Sequence, residues 1–227
     1  MTQLMKGIIF DFNGTLLWDS SLHEKAWNSM AEKYHGKSLN ATEMEEQVHG
    51  RSNDNILRWL LGRELSPAEL LLLANEKETM YRKLCHTLGD QFVLAPGAVD
   101  LLDSLTLRNI PRAIATSSSI DNVNFYIQRF DLYRWFDAQT LIYDDGCIQG
   151  KPAPDIYRKA MRALHLDNGD CMIVEDSLPG ISSALAANAG AVYVIHESGN
   201  FEYTFKIGGI TKTICNFSEL SVDDFSR

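Results

Sequence analysis

Four short segments carry side chains suited to chemistry on phosphate. The first is FDFNGTL, residues 10–16, which follows the apolar run Gly7–Phe10. Asp11 stands where that run ends, and Gly14 lets the backbone come close to a ligand, so the turn's amides can form an anion nest. A carboxylate so placed suits a nucleophile facing phosphorus, although a plain capped turn has the same residues. The second is Ile114 to Ser119, where the hydroxyls of Thr116 and Ser117 precede a helix expected near Ile120. Hydroxyls and free amides at a helix start bind phosphate, or simply cap the helix. The third, Gly150 to Asp155, puts Lys151 before two prolines and a helix expected to be capped by Asp155. The fourth is Glu175-Asp176, with a helix beginning near Pro179-Gly180. Adjacent carboxylates repel unless a cation sits between them, and an oxygen-rich site of this kind suits Mg²⁺.

These segments need a scaffold that gathers them. Short β-like runs at Ile8–Phe10, Ala113–Thr116, Met172–Val174 and Val192–Ile195 alternate with helical patterns. That alternation predicts a parallel sheet covered on both faces, with chemistry at the carboxyl ends of its strands. Asp11, Thr116 and Glu175-Asp176 each fall at such an end. Residues 16–91 read instead as helices. Ser20 to Tyr34 is amphipathic, and Ser66-Pro67-Ala68-Glu69 is a capping box opening a helix to about Leu88. Leu70 to Leu73 is apolar on nearly every side over one turn, which predicts burial of the run against neighbouring helices. Trp18 and Trp59 are expected to pack within this block. The chain therefore divides into an α/β core, 1–15 with 92–227, and a smaller helical domain, 16–91, placed to close over the strand ends. A last edge strand is expected near Thr211–Cys215.

The totals exclude several classes. The chain has 227 residues, 45% hydrophobic and 22% charged, enough for a sizeable core. A net charge of −9 gives no basic footprint for nucleic acid. Cys85, Cys147, Cys171 and Cys215 are scattered without a C-x-x-C pair, as in a reduced protein with core thiols. No run approaches the ~20 apolar residues of a membrane span. A cytoplasmic protein is expected, with no membrane or nucleic-acid partner, monomeric or weakly homodimeric.

Taken in order (Asp, Ser/Thr, Lys, acidic pair), with GKPAPDIY and EDSLPGISSALAANAG as the strongest stretches, residues 6–195 resemble the haloacid dehalogenase superfamily. The branch is that of phosphatases and β-phosphoglucomutase-like enzymes. The resemblance implies a Rossmannoid three-layer α/β/α core with an α-helical cap. It implies Asp11 as nucleophile through an aspartyl-phosphate. It implies Mg²⁺ held by Asp11, the main-chain carbonyl of Asn13, and Asp176, with Glu175 as ligand or outer partner. Phosphate would be held by Asn13, Gly14, Thr116, Ser117 and Lys151, and Lys151 would neutralise charge during transfer. A small phosphorylated metabolite is the expected substrate.

Asn13 departs from the pattern. The family's phosphatases and mutases place there an Asp that protonates the leaving alcohol and then activates the acceptor. An amide can hydrogen-bond but cannot shuttle that proton, and losing general acid–base help costs about 10²–10⁴-fold. Three readings stand: an enzyme for good leaving groups or slow turnover, a phosphate-binding protein without catalysis, or an Asp-to-Asn substitution. In the helical block, His23 opens the first helix and is the nearest replacement proton carrier the sequence offers. Arg51, in His49-Gly50-Arg51-Ser52, resembles the family's specificity loop and could meet a polar or anionic part of a substrate. β-Phosphoglucomutase-like enzymes carry an Arg slightly later, where this chain has Asn53, which weakens the mutase reading. The leading expectation is a Mg²⁺-dependent phosphohydrolase acting on a small phosphate monoester, with a phosphomutase and a phosphate-binding pseudoenzyme as alternatives.

Overall fold

In the computed structural model, which describes residues 4–49, 51–197, 199, 201, 204 and 207–226, the apolar runs become strands. The chain begins with β1 (Gly7–Phe10) and passes through α1 (Ser20–His35), α2 (Ala41–Gln47), α3 (Asn53–Leu61) and α4 (Pro67–Thr87). It continues with α5 (Ala98–Leu107), β2 (Arg112–Ala115), α6 (Ile120–Phe130), β3 (Leu141–Ile142) and α7 (Asp155–Ala163). The order ends with β4 (Cys171–Glu175), α8 (Leu178–Ala186), β5 (Ala191–Ile195) and β6 (Lys212–Ile214). Two compact units result: residues 1–18 with 93–227, and residues 19–92.

In the α/β unit the six strands form one sheet in the order β3-β2-β1-β4-β5-β6, every pairing parallel. Side chains alternate faces along a strand. Ile9, Ala113, Ala115, Ile173, Val192 and Val194 pack into one buried cluster with Ile156, Tyr157 and Ala160 of α7 and Ile181 and Ala184 of α8. Phe10, on the opposite phase, meets Phe136 and Phe217 edge-on. Burial on both faces explains why β1 and β4 read as near-continuous apolar runs rather than alternating ones. β1 lies between β2 and β4, so the carboxyl ends of these three strands are neighbours. This is the Rossmannoid architecture the sequence implied, and β6 is the expected edge strand.

The helical unit has its own core, in which Trp27 and Met30 of α1, Ile56, Leu57 and Leu60 of α3, and Leu70 and Leu73 of α4 pack together with Trp59 against them. The capping box at the start of α4 is present, Ser66 accepting from the Glu69 amide and Glu69 from the Ser66 amide.

Two local expectations are corrected. Leu71 and Leu72 are exposed, at 65% and 66%, because a helix turning about 100° per residue can turn only Leu70 and Leu73 inward here. Asp155 is the first residue inside α7 and not its cap. Pro154 holds the cap position without a side-chain bond, and the Asp155 charge faces the positive end of the helix. The two-residue β3 lies below the length at which a strand pattern can be recognised.

Candidate active site

The strand ends bring the four segments together. Asp11 follows β1 directly, and its amide donates to the Val174 carbonyl on β4, so its position is fixed by the sheet. Thr116 follows β2, its amide donating to the Ile142 carbonyl. Glu175 is the last residue of β4 and Asp176 the next. Lys151, in the loop between β3 and α7, places its Nζ 2.6 Å from Asp11 Oδ1 and 2.5 Å from Glu175 Oε1. All three of these side chains are almost wholly withdrawn from solvent.

Two glycines make the approach possible. Gly14 sits at φ +83°, and a Cβ there would fall 2.1 Å from Asp176 Oδ2. Gly180, in the first turn of α8, passes so close to Glu175 that a Cβ would lie 1.6 Å from Oε1. The backbone is packed directly on both carboxylates, which any side chain at either position would displace.

Asp11, Glu175 and Asp176 offer carboxylate oxygens within 4.8 Å of one another. The ammonium of Lys151 pairs with two of these three groups, Asp11 and Glu175. Burial works to lower the Lys151 pKa, but the charges of Asp11 and Glu175 outweigh it and raise it above 10.5. Burial likewise works to raise Glu175, and Lys151 with the Ser177 amide and Tyr157 hydroxyl brings it below 4.5 instead. For Asp176, burial first, then repulsion from Glu175 and Asp11, lifts the carboxyl well above 3.8, while the Thr15 hydroxyl (3.1 Å) and the field of Lys151 act in the opposite direction. A buried excess of hard oxygen donors is what a small divalent cation neutralises, so these residues fit Mg²⁺.

Asn13 lies in a hydrogen-bonded corner of its own. Its Nδ2 donates to the Tyr126 hydroxyl at 2.8 Å, and its Oδ1 accepts from Ser118 Oγ at 2.8 Å and, at 3.5 Å, from Thr116 Oγ1. Tyr126 is buried and stacks on Phe12 at 4.5 Å, which holds the hydroxyl in place. Thr116 Oγ1 also accepts from the Ser118 amide at 3.1 Å. Ser117 is exposed beside Gly150 and Ile156, lining the same small cavity.

The two remaining candidates belong to the helical unit. His23 of α1 stacks on Tyr81 with rings 3.9 Å apart, and its Nδ1 lies 2.6 Å from the Nζ of Lys77. Its Nε2 is 3.4 Å from Asp19 Oδ2, so both ring nitrogens have partners within this unit. Lys77 is buried, pairs with Glu78 at 2.9 Å and lies over the Trp27 ring; Tyr81 donates to Asp19, and Asn53 donates to Glu78. Arg51 is exposed, just before α3, and His49 pairs with Glu24; Gly50 lies outside the described residues. Sequence reasoning missed Lys77, because a lysine in a helix normally reads as a solvated face. It also left Ser118, Tyr126, Tyr157 and Ser177 without a role, although Tyr157 stands in the GKPAPDIY stretch.

Residues 5–188 match the haloacid dehalogenase-like hydrolase family, and the chain belongs to it. Among solved structures, a HAD hydrolase of family IA, variant 3, from Entamoeba histolytica is 36% identical, with a TM-score of 0.90 over 97% of each chain. Among characterised relatives, hexitol phosphatase A of Escherichia coli is 29% identical over 83% of this chain and 82% of its own length. The β-phosphoglucomutase of Bacillus subtilis is 31% identical over 84% and 83%, respectively. No helix among the described residues is long and apolar enough to cross a membrane.

Proposed function

We propose that the protein is a Mg²⁺-dependent phosphohydrolase for small phosphate monoesters, sugar phosphates among them, working through an aspartyl-phosphate on Asp11. The observation that carries this is the Lys151 ammonium bridging Asp11 and Glu175 within the carboxylate cluster that Asp176 completes. A carboxylate attacks a phosphate only where their mutual repulsion is cancelled, and here one cation is fixed against the nucleophile itself. The relatives named as a hexitol phosphatase and a β-phosphoglucomutase favour a sugar phosphate.

Asp11 attacks phosphorus, the P–O bond to the alcohol breaks, and Lys151 stays on Oδ1 of the nucleophile as charge develops. Thr116 and the Ser117 amide hold phosphoryl oxygens. Mg²⁺, held by Asp11, Asp176 and the Asn13 carbonyl, would supply the remaining positive charge against the phosphoryl group. The leaving oxygen takes its proton from water, since the Asn13 amide has none to give. Water then cleaves the acyl phosphate, releasing phosphate and restoring the Asp11 carboxylate. The helical unit carries the residues that select substrates, with Arg51 for a polar or anionic group and His23 set by Lys77.

The test is phosphate release from a panel running from sugar phosphates to aryl and acyl phosphates, with Mg²⁺ and with EDTA. Release that depends on Mg²⁺ and favours acidic leaving groups supports the reading. Ligand binding without release from any ester, even an acyl phosphate, replaces it with the pseudoenzyme reading that Asn13 favours. Transfer between hydroxyls of a bisphosphorylated sugar, without free phosphate, replaces it with the mutase.

A further inference from the structure

Glu175 belongs to the acidic cluster, yet its oxygens are already occupied. Oε1 accepts from Lys151 Nζ at 2.5 Å and from the Tyr157 hydroxyl at 2.9 Å. Oε2 accepts from the amides of Asp176 and Ser177, each at 2.8 Å, and from Ser177 Oγ at 3.0 Å. Five donors meet an ionised carboxylate that has about four lone-pair sites. The neighbouring Asp176 accepts at Oδ1 from Thr15 Oγ1.

We infer that Tyr157 is a positioning residue whose hydroxyl completes the hydrogen-bond shell of Glu175, keeping that carboxylate as the partner of Lys151 and out of the metal's coordination sphere. The inference rests on the proposed Mg²⁺ site. Tyr157 is fully buried on α7, and its ring packs in the main cluster under the sheet. Lys151 Nζ lies 5.0 Å from the centre of the same ring, so one side chain touches both halves of the Lys151–Glu175 pair. With Oε1 filled by an ammonium and a phenol, rotation of Glu175 toward a cation would strand both donors in a dry interior. The consequence is selectivity. Mg²⁺ takes six ligands in a tight octahedron, while Ca²⁺ accepts six to eight, so an additional carboxylate oxygen favours Ca²⁺. Withholding Glu175 holds the site to the smaller ion.

The experiment is titration calorimetry of Tyr157→Phe and the parent with Mg²⁺ alone and Ca²⁺ alone, without substrate. Removing the phenol oxygen while keeping the ring frees one position on Oε1. The expected result is a shift of the Ca²⁺/Mg²⁺ affinity ratio toward Ca²⁺ by about five-fold or more. An unchanged ratio in a variant that unfolds at the parent's temperature without metal overturns the inference. The second measurement uses the parent protein, with its glutamate carboxyls ¹³C-labelled, in infrared difference spectra on adding Mg²⁺. Unmoved glutamate bands alongside shifting aspartate bands are expected, and a shifted glutamate carboxylate band overturns the inference whatever Tyr157→Phe does. If neither protein binds Mg²⁺ at all, it is the proposed function that fails.

Discussion

Each compact unit buries a group of charged side chains, and the two are balanced differently. In the helical unit, Asp19 and Glu78 face Lys77 and the His23 ring, and Tyr81 and Asn53 satisfy what remains. In the α/β unit, Asp11, Glu175 and Asp176 crowd together, and Lys151 pairs with the first two. A balanced buried network has its partners inside the protein and holds one arrangement of its unit. A buried group short of positive charge is costly until something cationic arrives. The first is expected to answer to mutation in stability, the second in chemistry and in its response to a metal ion.

The largest effect falls on the undercompensated side. Asp11→Asn removes the attacking oxygen's charge and is expected to lower phosphate release by about 10⁴-fold or more, measured as kcat/KM on an activated ester. The denaturant midpoint should move little by comparison, because one of three crowded carboxylates has gone with it. Retained turnover would remove Asp11 as nucleophile and with it the chemical half of the contrast.

On the balanced side, Lys77→Met is expected to cost about 3–5 kcal/mol of stability in denaturant unfolding, since it leaves Glu78 and Asp19 buried without their ammonium. Lys77→Met with Glu78→Gln should recover a large part of that loss. A stability change for Lys77→Met below about 1 kcal/mol would mean that the network is solvated and that the contrast is not one of burial.

Asn13→Asp tests whether the missing acid limits the reaction. The corner around residue 13 is ready for a carboxylate, because Ser118 and Thr116 already donate to Oδ1 and the Tyr126 hydroxyl can turn to donate to the second oxygen. Turnover of unactivated sugar phosphates should rise by about 10²-fold, with a smaller rise for aryl phosphates whose leaving groups need no proton. Equal rates on a sugar phosphate would show that proton delivery is not what residue 13 controls.

The difference between the two units also separates what was legible in the sequence from what was not. Asp11 and Glu175-Asp176 could be read because each sits in a short segment of unusual composition at a strand end, and parallel sheets collect such ends in one place; Lys151 could be read from the proline-stiffened turn that precedes α7. β1 and β4 were legible for the same reason, being buried on both faces. The network of Asp19, His23, Lys77 and Glu78 was illegible, because a lone charged residue in an amphipathic helix has no local mark of burial. Lys77 can be recognised only when α1 and α4 are seen side by side. Leu71 and Leu72 show the converse, since an apolar run on a helix does not reveal which members face inward. Tyr157 and Tyr126 have hydroxyl partners 18 and 113 residues away, beyond any local pattern.

The smallest effect joins metal to pH. Burial, then the charges of Glu175 and Asp11, places the folded pKa of Asp176 well above its ordinary 3.8. A carboxyl raised in this way stabilises the fold in its protonated form, so its contribution is complete below about pH 3.8 and is lost as pH rises through the folded value. Glu175 works in the opposite sense: held below 4.5, it stabilises above that pH and fails only as pH falls further. Lys151, raised above 10.5, keeps its contribution throughout the neutral range. Without metal, the site therefore loses stability as pH rises from about 3.8 through the folded value, through Asp176 in particular. Mg²⁺ supplies charge to the ionised form, so its effect on the unfolding free energy should grow over the same interval, to about 2.7 kcal/mol at a hundred-fold excess over Kd. Asp176→Asn should flatten the metal-free pH dependence and remove the Mg²⁺ response together. A Mg²⁺ shift equal at both ends of the interval, or one that survives Asp176→Asn, would mean that the excess charge at the strand ends is met by the protein itself, and the two buried clusters would then be alike.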